Sequence, residues 1–162
     1  MGIFTRTICF LTTFAALSIL TACDNSASTG NASPNTVTAA DVITVTEPRI
    51  RATAPGQKVS GAFLSLTNGS ATPYALVSAR FSAADAVEIH ETSMNGKMMR
   101  MMQVEQIDIP ANGVVELKPG SYHIMLMGLN KALKAGTTET LTLMFSDDSQ
   151  VTVQASVGDV NQ

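Results

Sequence analysis

The sequence predicts an all-β domain, an antiparallel two-sheet sandwich. Three observations carry that expectation. Short runs rich in Val, Ile, Thr and Leu recur roughly every 8–12 residues, with turn residues between them. No stretch shows apolar residues at helical spacing. Turn pairs such as Pro55-Gly56, Asn68-Gly69, Asn95-Gly96 and Pro119-Gly120 punctuate the chain where strands must reverse.

The chain begins with a segment that is not part of that fold. Arg6 precedes a short apolar run, Ile8 to Leu20, and then Leu20-Thr21-Ala22-Cys23. Small residues ahead of a cysteine match a bacterial lipobox, so residues 1–22 read as a lipoprotein signal peptide and Cys23 as the lipidated residue. Asp24 follows, a residue that in enterobacteria favours retention in the inner membrane. The expected location is the periplasmic side of the bacterial envelope, on a lipid anchor. The alternative is an ordinary secretory signal that happens to end near a cysteine.

Cleavage would leave 140 residues with a net charge of −4. Cys9 leaves with the signal and Cys23 carries lipid, so the mature domain has neither a free thiol nor a disulfide, and it must be held by packing. Charged residues are only 14% of the chain and form no basic cluster, which excludes a nucleic-acid surface. Residues 23–40 contain the lipidated cysteine and then Ser, Thr, Asn, Ala, Gly and Pro. Their apolar content is too low to offset ordering entropy, so they read as a flexible tether with a reach of roughly 20–25 Å.

The β domain is expected over residues 41–157, followed by a short tail, 158–162. Val42–Thr46 opens it, and Pro48 stops that strand or marks it as an edge. Gly61–Thr67 alternates up to Asn68-Gly69. Tyr74–Phe81 follows, with Leu76 and Phe81 as core candidates. Val87–Ser93 and Lys97–Val104 flank Asn95-Gly96, the strongest short hairpin signal in the chain. Ile107–Ile109, Val114–Leu117 and Tyr122–Leu129 come next, and Lys131–Ala135 suits one short helical turn. Thr138–Phe145 and Gln150–Val157 close the domain as a hairpin around Asp147-Asp148-Ser149.

Chemistry concentrates in one stretch. The two histidines, His90 and His123, stand in the spacing His-x10-Met-x21-His-x-Met with Met101 and Met125, and seven of the nine methionines lie between Met94 and Met127. A two-residue Asn95-Gly96 turn places His90 directly opposite Met101 and Glu91 opposite Arg100. Opposed Cβ atoms are about 4.5–5.5 Å apart, close enough to share a metal ion. His123 and Met125, at i and i+2, project from one face of their strand, while Tyr122, Ile124 and Leu126 project from the core face. Two imidazoles and two thioethers form a soft, neutral donor set that suits Cu(I). The bland reading is surface histidines and methionines that fill core gaps. Packing is the expectation for Met98, Met99, Met102, Met127 and Met144, whereas Met94, near the turn, could add an auxiliary sulfur.

The same spacing, with IHETSM, NGKMMRM, IPANG, VELKPGSYHIMLMGL and LTLMF around it, resembles the periplasmic copper chaperone family PCu(A)C over most of residues 41–157. The resemblance implies a cupredoxin-like β-sandwich holding one Cu(I) per chain on His90, Met101, His123 and Met125. It also implies delivery to the CuA centre in subunit II of cytochrome c oxidase, alongside Sco-type thiol proteins. Ser121 stands where the family often has glycine. The chain ends GDVNQ, unlike the His- and Met-rich tail of some members. Three other functions compete. Copper buffering or tolerance would use the same site. A metal-free assembly module would need none of it. Blue-copper electron transfer would require a cysteine thiolate that the mature domain lacks. No G-x-S-x-G or H-E-x-x-H motif is present to suggest hydrolysis, so the chain does not read as an enzyme.

Overall fold

A computed structural model describes residues 37–96 and 98–159. The signal segment, Cys23 and most of the tether lie outside the described residues. The described chain holds one helical turn, α1 (Ala39–Val42), and ten strands: β1 (Ile43–Arg51), β2 (Val59–Asn68), β3 (Tyr74–Arg80), β4 (Ala86–Asn95), β5 (Met98–Gln103), β6 (Ile107–Ile109), β7 (Val114–Leu117), β8 (Tyr122–Met127), β9 (Thr138–Phe145) and β10 (Gln150–Gly158). The all-β class is as the sequence predicts, and every expected strand forms.

The strands hydrogen-bond in the order β5-β4-β8-β7-β2-β1-β10-β9-β3-β6, with β8 also pairing β2. Two separate sheets were the expectation; here the ladder runs without a break from one half to the other. The reason lies in β1. Its Ile43–Thr46 half pairs only β2, and its Arg49–Arg51 half pairs β2 on one side and β10, in parallel, on the other. Between them the register slips at Thr46/Arg49, where Glu47 takes φ +50 beside Pro48. A bulge of this kind re-aims a strand and lets one element serve both layers. Pro48 therefore bends the first strand without ending it.

Both halves contribute to one core. Leu64, Leu66, Ile124 and Leu126 from β2 and β8 join Leu76, Leu141, Leu143 and Phe145 from β3 and β9, all buried. Alternation explains the membership: Leu141, Leu143 and Phe145 are buried while their neighbours Thr140, Thr142 and Met144 are not.

Two local departures from the sequence reading have plain causes. The ordered chain reaches back past residue 41. Thr38 and Asp41 bond reciprocally at the start of α1, and the Ala39 and Ala40 N–H groups donate to Asp147 and Ser149 at the β9–β10 turn. The helical turn expected at Lys131–Ala135 does not form. Leu133 is buried, its carbonyl accepts from the Thr53 N–H, and its own N–H donates to Thr53 Oγ1, so these groups are engaged outside any helix.

Candidate metal centre

The site is built on three adjacent strands, β5, β4 and β8. Between β4 and β8 the register sets His90 directly opposite His123 and Glu88 opposite Met125. The two imidazole centroids are 5.9 Å apart. Between β4 and β5 the ladder closes with Asn95 opposite Met98, and His90 faces Gln103 while Met101 faces Thr92. This corrects the sequence reading, which placed His90 opposite Met101 and Glu91 opposite Arg100; Glu91 instead meets Met102 and Arg100 meets Ser93. The turn sits one residue further on, with Gly96 at φ +63. Two-residue hairpin loops need a positive φ at their first central position, and glycine takes it at least cost.

Moving the turn by one residue moves every partner by two, so the faces are preserved. His90, Thr92 and Met101 still share a face, and Met101 becomes the diagonal neighbour of His90. A diagonal separation of about 7–8 Å lies within reach of a long side chain. His90, Met101, His123 and Met125 therefore lie on one face of the sheet, although the opposed pair is His90–His123.

Each imidazole is held by one nitrogen and leaves the other bare. His90 Nε2 lies 2.8 Å from Glu88 Oε2, and His123 Nδ1 lies 3.0 Å from the Ser121 carbonyl. His90 Nδ1 and His123 Nε2 are buried with no hydrogen-bond partner. A buried polar atom without a partner costs about 1–3 kcal/mol, so two of them on facing rings call for a ligand. A ring pinned through one nitrogen, with its other nitrogen free, is the usual arrangement around a bound metal. Neutral Ser121-bound His123 donates Nδ1–H and presents the Nε2 lone pair.

His123 is only 5% exposed, whereas Met101 is 52% exposed. Phe63 stacks on His123 at 6.3 Å between centroids, and the Arg51 guanidinium lies over the other part of the stack, 5.7 Å from the Phe63 centroid. A cleft of about 390 Å³ is lined by Met99, Met101, His123 and Met125 together with Gly61, Phe63, Thr92 and Arg51. Gly61 lets the backbone approach closely there: an added Cβ would stand 3.1 Å from the Phe63 ring, so the ring would have to give way. Burial, foremost, holds His123 below the usual histidine range; the Ser121 bond acts the other way, and positive charge on His90 and Arg51 adds to the lowering.

Glu88, Phe63, Gly61 and Arg51 escaped the sequence reading. Only Glu88 carried a readable signal, its i−2 spacing from His90. The others come from β1 and β2, some thirty residues away. The expectation that methionines fill the core also fails for three of them. Met98, Met99 and Met102 are exposed, and Met127 and Met144 are half-buried.

The geometry defines a class: a cupredoxin-like β domain whose cleft is lined by Met101, His123 and Met125, with His90 directly opposite His123 on the neighbouring strand. The family described as "Putative lipoprotein LpqE-like" matches residues 43–157, and the chain belongs to this PCu(A)C-related family. The relative described as "Putative lipoprotein Lxx21020" of Leifsonia xyli subsp. xyli is 36% identical over 121 residues, covering 74% of this chain and 72% of that protein. The "Uncharacterized protein RP573" of Rickettsia prowazekii is 32% identical, covering 63% and 57%. Among solved structures, the Cu(I) form of DR1885 from Deinococcus radiodurans is 33% identical with a TM-score of 0.60, covering 72% of this chain and 78% of that one. The copper-bound PCuAC domain from PmoF2 is 22% identical with a TM-score of 0.62, covering 72% and 92%, and shows the shared fold.

Proposed function

We propose that this chain is a lipid-anchored envelope chaperone that binds one Cu(I) and passes it on by ligand exchange. His90 Nδ1, His123 Nε2 and the thioethers of Met101 and Met125 are the donors. The observation that carries the reading is the cross-strand pair of imidazoles, His90 and His123, each with one buried nitrogen that has no partner. Soft, neutral sulfurs beside them favour Cu(I) over harder divalent ions. The Cu(I) form of the Deinococcus radiodurans relative supports the same reading. Met101, half out in solvent, is the donor an incoming acceptor reaches first. Cys23 is the anchor, on the periplasmic face of the inner membrane, and residues 24–36 connect it to the domain. The acceptor that fits the family resemblance is the CuA centre of cytochrome c oxidase.

Native mass spectrometry with Cu(I) under reducing conditions tests the binding. A 1:1 adduct is expected for the native chain and none for His123→Ala; an unchanged affinity in that variant would sink the reading. A transfer assay to a CuA domain tests delivery. Tight binding without transfer would replace delivery by copper buffering.

A further inference from the structure

Five of the large apolar side chains left exposed among the described residues are methionines of one hairpin: Met94, Met98, Met99, Met101 and Met102. Burying such a side chain contributes about 1.5–3 kcal/mol, and strands favour β-branched and aromatic residues over methionine. Neither packing nor strand propensity accounts for the run. The register sorts it. Met94 stands directly opposite Met99, and the next rung along the same face is Thr92 opposite Met101. Met98 and Met102 project from the other face.

We propose that Met94 and Met99 form an entry site for Cu(I), which receives the ion at the hairpin end and hands it to the His90–Met101–His123–Met125 centre. The inference rests on the copper reading above and adds a second station to it. Three features support it. Met94 and Met99 are 63% and 68% exposed, so a donor molecule can reach both sulfurs. Their Cβ atoms are directly opposed, at a separation of about 4.5–5.5 Å that lets two thioethers share one ion. One rung, about 6.8 Å, separates them from Met101, and Met99 and Met101 line the same cleft as His123 and Met125. The step is pure ligand exchange. A Cu–S bond to Met94 or Met99 breaks as a bond to Met101 forms; copper stays Cu(I), and no proton or electron moves because a thioether carries no proton to lose.

The test uses the full-length chain in detergent, with Cu(I) supplied as a coloured chelator complex and uptake followed by stopped flow. Met94→Leu/Met99→Leu keeps the apolar volume and removes both sulfurs. Without the local supply of ion, loading of the centre is expected to slow by about tenfold or more, while the final 1:1 stoichiometry and affinity hold. Met98→Leu/Met102→Leu, on the other face, is expected to load at the native rate. An unchanged loading rate in Met94→Leu/Met99→Leu, or equal slowing in both double variants, overturns the entry site. The first of these outcomes would leave the exposed hairpin as a protein-docking surface. Failure of the native chain to bind Cu(I) at all would instead overturn the copper reading itself.

Discussion

The copper chemistry proposed for His90 and His123 depends on the groups that fix them. Glu88 accepts from His90 Nε2, which leaves Nδ1, buried and without a partner, as the nitrogen available to a ligand. Glu88→Gln keeps the size and removes the carboxylate that accepts from the ring. Losing such a supporting partner lowers metal affinity by about 10–100-fold, and that loss is the expected outcome in competition titration with a Cu(I) chelator. Native-like circular dichroism with unchanged affinity would show Glu88 to be dispensable. His123 sets the pH behaviour. Its folded-state proton affinity is lowered, mainly by burial, so the unfolded chain protonates first as pH falls. Stability of the metal-free protein should stay level above about pH 6.5 and drop below it. Thermal unfolding from pH 7.5 to 5 measures this, and a rise in melting temperature over that interval would contradict it. The same lowering keeps Nε2 available for metal at a pH where an ordinary histidine would be protonated.

At the scale of elements, the β4–β5 hairpin decides which side chains meet. Its faces were legible in the sequence, because strand alternation survives a turn displaced by one residue. The direct partner of His90 was not legible. Asn95-Gly96 admits two turn placements, and a two-residue shift separates them. Gly96, at φ +63 with nothing within 4 Å of a notional Cβ, isolates the cost of conformation from that of crowding. Gly96→Val should destabilise by about 1–2 kcal/mol and raise amide exchange in β4 and β5 near the turn. Protection equal to the native hairpin would show that the positive φ is not needed. Met98, Met99 and Met102 mark another limit of sequence reading. A methionine-rich run resembles a core strand, and nothing local says that β5 is the last strand of its sheet.

For the whole molecule, stability rests on the shared core, since neither thiol lies within the described residues. Leu126 and Leu141 come from the two halves of the sheet, and both are fully buried. Truncating either to alanine is expected to cost about 2–5 kcal/mol, against less than about 0.5 kcal/mol for exposed Met98→Ala. Urea unfolding measures all three. A small loss for Leu126→Ala beside a large one for Leu141→Ala would mean that the halves do not unfold as one unit.

The sequence by itself determined the strands, their faces, the four candidate donors proposed above and the family, because alternation, turn residues and the spacing of His90, Met101, His123 and Met125 are local or ordinal properties of the chain. Tertiary structure alone decided that His90 opposes His123, that Phe63 stacks on His123 with Arg51 over the Phe63 ring, and that the two layers are continuous through β1 and β10. Those relations depend on register between strands far apart in the chain. Register is fixed when the core closes and the turns settle, and no single segment encodes it.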